Sequence, residues 1–374
     1  MYIFAISLFS IFAYFEVFNR EMMEKYKSLF LFICYVFLIF HDGFRWETGT
    51  DWLSYYDFFE KLTVEYSIED SDFEIGYTLF MYLIRLVTDN YTVYLIIHAI
   101  FFYTCFFYCI TKISKYPFVS ILVFYMITLP YLGMNRQFLS MAIFSVGLVF
   151  LLKGQRLKFI LSIAIAFLFH RTAIIGLCAL LCSHRIKPIW IVSFICIALI
   201  VSLSGIVNKA GMALVGINFS GDIGSKLDFY TNGGGGSKVS LVSTLLSLIK
   251  KFVWLGFLLV FRKKVDGKDQ TYYTLLNIYI LGCILYLIFN NTILQVFVSR
   301  ALLFFNITEI FIIPYALTIF KQNYGKLIIM FILSIYCFIN IKKGFDNYAI
   351  YGMKDLFEPY KGVFINTNYK RQYH

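Results

Sequence analysis

Chemistry in this 374-residue sequence concentrates in one stretch, Phe44-Arg45-Trp46-Glu47-Thr48-Gly49-Thr50-Asp51-Trp52-Leu53-Ser54-Tyr55-Tyr56. There an arginine, two carboxylates, a flexible glycine and several aromatics follow directly on an apolar run. Further cations stand at the ends of otherwise apolar runs, in Asn135-Arg136-Gln137, His170-Arg171 and Ser299-Arg300. A guanidinium is a planar fork that binds two oxygens at once and stays charged at any cellular pH, so several around one cavity would hold a diphosphate. Asp51 and Glu74 bound an acidic stretch, and either could take the proton from an attacking sugar hydroxyl. His170 suits moving a proton, or binding phosphate when charged. Trp46, Trp52, Tyr55 and Tyr77 offer faces on which a pyranose ring could lie. Each residue has a plainer alternative. An arginine at a helix end also snorkels to lipid headgroups or pairs with a nearby acid, as Arg45 could with Glu47 or Asp51, and Trp and Tyr form interfacial belts. A histidine closing an apolar run is often a hydrogen-bonded helix end, and His41, His98, His184 and His374 have no comparable company.

The elements that must position these residues follow from composition. With 60% hydrophobic and 15% charged residues, 43 Phe and 29 Tyr, the chain carries more apolar surface than a soluble core of this length can hide. It is expected to be an all-α, polytopic membrane protein. Apolar runs at about 2–18, 28–44, 91–111, 117–134, 136–152, 157–170, 172–183, 188–207, 240–261, 271–289, 297–320 and 326–341 suggest some twelve spans. The run at 172–183 is short enough to require tilt or local thinning of the bilayer. The net charge of +11 does not indicate nucleic acid, because the basic residues cluster in short loops such as Lys153–Lys158 and Arg262-Lys263-Lys264, as cytoplasmic loops do. The first run meets its basic residues after it, the reverse of a cleavable signal peptide, which places the N-terminus outside. The eight cysteines all lie inside predicted spans and read as small packing groups rather than metal ligands.

Counting from the Lys153–Lys158 loop puts Arg45, Arg136, His170, Arg171 and Arg300 on the external side, against the charge bias that shapes the rest of the chain. The segment near 74–88 breaks the count unless it is a re-entrant or surface-lying helix, and such a helix would form a wall of a site. Residues 45–74 form an external acidic loop. A second external loop at 208–239 holds Gly233-Gly234-Gly235-Gly236 and is either a lid or a slack connector. The polar tail at 342–374 counts as external, with Lys342 and Lys343 arguing the other way. No internal repeat divides the chain, which is treated as a single membrane domain over 1–374.

Taken in order, Arg45-x-x-x-Gly49-Thr50-Asp51-x-x-x-Tyr55, Glu74-x-Gly76-Tyr77, Arg136-Gln137, Phe169-His170-x-x-Ala173 and Ser299-Arg300 resemble the EpsG/Wzy family of bacterial polysaccharide polymerases. The resemblance covers about residues 40–310. It implies a GT-C-like lipid-sugar glycosyltransferase of the bacterial inner membrane, active on the periplasmic or external face. Such an enzyme joins oligosaccharide repeat units carried on undecaprenyl diphosphate into O-antigen, capsule or exopolysaccharide, without a nucleotide sugar. Donor and acceptor are both lipid-linked, membrane lipids surround the protein, and a chain-length regulator and a flippase are further partners. No metal or cofactor is expected, since arginines can replace a divalent ion. Asp51, Glu74 and His170 are the expected catalytic groups, and Arg45, Arg136 and Arg300 the expected diphosphate ligands. Tyr55, Tyr77, Gln137 and Arg171 are expected to contact substrate. The sequence departs from the family pattern where Arg171-Thr172 follows the histidine in place of a lysine–serine-like pair, and in its glycine run. A flippase of lipid-linked oligosaccharide is the reading from another class, disfavoured by the missing repeat and the one-sided charges; a glycan ligase would differ only in its acceptor.

Overall fold

A computed structural model describes residues 1–62, 73–216, 241–262, 264, 269–290, 292, 294–350 and 356–371 as helices joined by turns, with no named strand among them. In chain order the helices are α1 Tyr2–Phe18, α2 Arg20–Gly43, α3 Trp52–Lys61, α4 Ile75–Arg85, α5 Tyr91–Ile113, α6 Pro117–Thr128, α7 Asn135–Leu152 and α8 Arg156–Phe169. A 3-10 helix over Arg171–Ser183 follows, then α9 Pro188–Leu203, α10 Ile206–Gly216, α11 Leu241–Phe261, α12 Gln270–Phe289 and α13 Gln295–Asn306. The short α14 Glu309–Ile312 and α15 Tyr315–Thr318 lead into the long α16 Asn323–Ile350. Much of the external glycine loop expected at 208–239 lies outside the described residues.

Among the described residues five helical stretches are long and apolar enough to cross a membrane: Tyr91–Ile113, Asn135–Leu152, Gln270–Phe289, Val298–Thr318 and Asn323–Asp346. Five shorter apolar helices accompany them. Along α9 the large side chains of Ile189, Val192, Ile197, Ile200 and Leu203 are exposed, while α16 exposes Leu327, Phe331, Ile335 and Phe338 and buries Ile329, Leu333 and Tyr336. Water would not tolerate such stripes, whereas lipid covers them without cost.

Two details depart from the hydropathy pattern for local reasons. Helix α2 begins eight residues before its apolar run at 28, because the Asn19 side chain accepts a hydrogen bond from the Met22 N–H at 3.4 Å and caps it there. The short run after His170 winds as a 13-residue 3-10 helix. At a rise of about 2.0 Å per residue it extends roughly 26 Å, where an α-helix of that length would reach only about 20 Å.

The chain divides into two compact units. The first holds residues 1–177 and 309–374. In it α7 packs along α8, α5 packs against both α2 and α7, and α1 packs on α6. Phe102 of α5 and Phe138 of α7 stack with centroids 4.7 Å apart at the centre of this packing. The second unit, residues 178–308, is built on α12, which contacts α9, α11 and α13. Within it Lys251 of α11 donates to Asn306 Oδ1 at 2.7 Å and lies 5.1 Å from the Tyr286 ring centroid, so this buried cation has polar and aromatic company.

Candidate active site around Arg136 and Glu74

Two loops that meet backbone to backbone set the geometry of the first unit's functional end. Gly49 has φ of +109°, and a Cβ there would stand 2.4 Å from the Leu132 carbonyl oxygen. Gly133, with φ of +105°, comes equally close to Thr50 from the other side, its Cβ position lying 2.6 Å from the Thr50 nitrogen. The Thr50 N–H donates to the Leu132 carbonyl at 2.9 Å across this contact. Only glycine permits both the dihedral and the approach. The interlock seats Asp51 as the residue that opens α3 and Asn135 as the first residue of α7.

Arg45 braces the same junction. Its side chain is completely buried, ion-paired with Asp42 three residues earlier, and donates to Asn135 Oδ1 at 2.6 Å. His98 approaches from α5, its Nε2 lying 3.1 Å from the Asn135 carbonyl. Arg45 therefore holds the residue next to Arg136.

Arg136 sits one residue into α7 with its guanidinium at the junction of three elements. It donates to Glu74 Oε2 at 2.7 Å and to the Tyr55 hydroxyl at 3.2 Å, and lies 4.3 Å from the Phe73 ring centroid. Both members of the pair are partly open, the Arg136 side chain 19% and that of Glu74 12% exposed, so the pair is reachable from outside. Glu74 is held there by Gly76, whose Cβ position would lie 2.8 Å from the Leu168 carbonyl oxygen at the end of α8. That approach brings the second Glu74 oxygen to the Arg171 N–H at 3.3 Å. Burial opposes ionisation of Glu74, but the Arg136 charge, the nearby His170 and the Arg171 N–H outweigh it and hold the carboxyl below its ordinary value. Burial acts unopposed enough on Tyr55 to raise its phenol, despite the lowering effect of Arg136.

His170 is buried at the break between α8 and the 3-10 helix, where its backbone is extended. The Thr172 N–H donates to His170 Nδ1 at 3.3 Å, and the Thr172 hydroxyl lies 2.8 Å from the same atom. A ring whose Nδ1 accepts carries its neutral-state proton on Nε2, poised as a donor.

The structure thus brings Tyr55, Glu74, Arg136, His170 and Arg171 together. Asp51 stands one helical turn before Tyr55, and its charge acts on that phenol. Tyr77 is fully buried, its hydroxyl 2.6 Å from that of Tyr94 and its ring 5.4 Å from Tyr55, so it backs the site rather than lining it. Gln137 is buried beside Arg136, at 2% exposure. Arg300 belongs to the second unit, half-buried on α13.

Three contributors were not anticipated. Asp42 and Asn135 carry no motif of their own, although Asp42 sits at helical i, i+3 spacing from Arg45. The third is the tail. Trp46 N–H donates to the Lys361 carbonyl and Gly49 N–H to the Leu356 carbonyl, each at 3.0 Å, and an isolated bridge joins Arg45 to Gly362. Lys361 ion-pairs with Glu47, and Arg371 donates to the Thr48 hydroxyl at 3.0 Å. Residues 356–371 therefore strap the loop that carries Arg45 and Gly49. Sequence signals for the strap are faint, since its contacts are mostly to backbone.

No curated protein and no solved structure matches the chain. The sequence model described as the EpsG family matches residues 28–361, which takes in the loop after α2, the Arg136–Glu74 junction, Arg300 and the strapping Lys361. With nine-tenths of its length covered by that match, the chain is a member of the EpsG family, at family level a membrane-bound, glycosyltransferase-like polysaccharide polymerase.

Proposed function

We propose that this membrane protein polymerises oligosaccharide repeat units carried on undecaprenyl diphosphate, at the external face of the bacterial inner membrane. The observation that carries the reading is the partly open Arg136–Glu74 pair, set beside Tyr55, His170 and Arg171. A hydroxyl of the acceptor sugar attacks the anomeric carbon of the donor, the bond from that carbon to the diphosphate oxygen breaks, and the lipid diphosphate leaves with the electron pair. Charge grows on the leaving group as that bond lengthens, so preorganised cations lower the barrier more than they tighten ground-state binding. Arg136 is the central ligand for that charge, joined by Arg171, with the His170 Nε2–H as a further donor, while Arg300 is a candidate phosphate ligand of the second unit. Arg45, enclosed with Asp42, serves the site by fixing Asn135.

The acceptor proton goes to a carboxylate, Glu74 or Asp51. Paired with Arg136, Glu74 is a weak base. A diphosphate that takes over the guanidinium frees the carboxylate and raises its proton affinity, which couples acceptor activation to donor loading. Tyr55 shapes the wall, and the buried Tyr77 and Gln137 support it from behind. The chemistry needs no nucleotide sugar, and the product is lipid-linked polymer together with free lipid diphosphate.

The test is a polymer ladder on a gel from cells whose own copy is replaced. Arg136→Ala and Arg300→Ala should insert normally yet leave single repeat units, a rate loss of about a hundredfold or more for each cation removed. A full-length ladder from either variant would contradict the diphosphate assignment.

A further inference from the structure

Helix α3 presents a second face to an open cleft. Tyr55 meets Arg136, whereas Tyr56 and Glu60, one turn apart on the adjoining face, line a separate open cleft of about 540 Å³. Its other walls include Trp46, Tyr91, Asp89 and Asn90. That volume falls within the range of about 300–1,000 Å³ usual for small-molecule sites.

The aromatic wall is rigid. Tyr56 stacks on Trp52 at 5.0 Å and 10°, Trp46 packs across both at 4.9 and 5.8 Å, and Tyr91 meets Trp52 and Tyr56 edge-on at 5.5 and 5.3 Å. Trp52 and Tyr91 are buried, while Trp46 and Tyr56 are half-buried, so the outer two rings are backed by the inner two and keep part of their surface open. Fixed rings offer area without the entropy of ordering flexible chains. The rim is polar and acidic. Glu60 and Asn90 are exposed, and Asp89 is exposed while paired with Arg85 at 2.7 Å. One guanidinium against two carboxylates leaves the cleft negative, in contrast to the cationic site on the other side of α3.

Flat apolar faces bordered by carboxylate and amide acceptors match one ligand chemistry, the pyranose ring, which presents C–H groups on its faces and hydroxyl donors around its edge. The negative rim repels uronates and phosphates. We propose that this cleft is a glycan subsite that takes a neutral or amino-bearing stretch of the saccharide whose reacting end lies at Arg136 and Glu74. The assignment rests on the polymerase reading for its substrate and extends it to residues that take no part in the bond change.

The test uses full-length protein in nanodiscs, titrated with the repeat-unit oligosaccharide freed by mild acid from the lipid carrier of the producing cells, with binding followed by saturation-transfer NMR. Wild type should bind saturably. Glu60→Gln and Tyr56→Ala should each weaken binding about tenfold, the loss of one charge-assisted hydrogen bond or one stacking face. Glu60 is exposed, so its variant carries the test even if Tyr56→Ala fails to fold. The proposal is overturned if wild type shows no saturable binding, if Glu60→Gln binds unchanged, or if binding disappears once the carboxylates of the oligosaccharide are reduced. A full ladder from Arg136→Ala together with intact cleft binding would overturn the polymerase site alone.

Discussion

Arg136 reaches Glu74 and Tyr55 together because a guanidinium carries N–H donors along separate edges, and the Arg171 N–H occupies the other Glu74 oxygen. The electrostatic consequence can be measured. Since the folded-state pKa of Glu74 lies below its ordinary value of 4.5, the pair contributes stability that is fully present above about pH 4.5 and is lost as pH falls through the depressed value. Thermal unfolding of wild type should exceed that of Glu74→Gln at neutral pH, and the gap should close on acidification below pH 4.5. A gap undiminished at strongly acid pH would contradict the ion pair. At this scale the count of spans grouped Glu74, Arg136, His170 and Arg171 with Arg45 and Arg300, and the structure brings the first four together. Arg45 was harder to place, because forward neighbours Glu47 and Asp51 were the obvious partners, while helical geometry at the end of α2 delivers Asp42 instead.

Glycines at element junctions decide how close Glu74 comes to its partners. At Gly76 an added methyl would meet the Leu168 backbone, pushing α4 away from α8 and withdrawing Glu74 from the Arg171 N–H. Gly154, between α7 and α8, has φ of +74° but nothing within 4 Å of its Cβ position. Gly154→Ala should therefore cost about 1–2 kcal/mol from its left-handed backbone and leave polymerisation intact. Gly76→Ala should instead lose polymer by tenfold or more, a barrier rise of about 1.4 kcal/mol. Equal effects of the two substitutions on the ladder would refute this division. The sequence suggested Gly49 as a source of flexibility, yet its contact with Leu132 makes it a fixed point. A single sequence does not distinguish these uses of glycine, since both depend on what lies opposite. Helix α4 was foreseen as non-spanning, and at 11 residues its length of about 16 Å falls well short of the 30 Å hydrocarbon core.

Across the whole chain, the hydropathy runs correspond closely to helices, because burial in lipid and burial in protein both demand long apolar stretches with internally satisfied backbones. Hydropathy says nothing of which helices share a compact unit, and the division after residue 177 was not legible in it. The tail illustrates the same gap. Counted charges left its side ambiguous, whereas its hydrogen bonds to residues 46–49 put both at one end of the first unit. An impermeant thiol reagent should accordingly reach Asn366→Cys and Glu60→Cys from the same side of the membrane, and labelling from opposite sides would refute the strap. Synthesis order gives that strap a further meaning. Residues 356–371 follow all the described helices in the chain, so the loop bearing Arg45 and Gly49 is fastened only after the last of these helices has been made. A nascent chain that has made those helices but not yet residues 356–371 would still lack the bonds that hold Trp46, Thr48 and Gly49 in place.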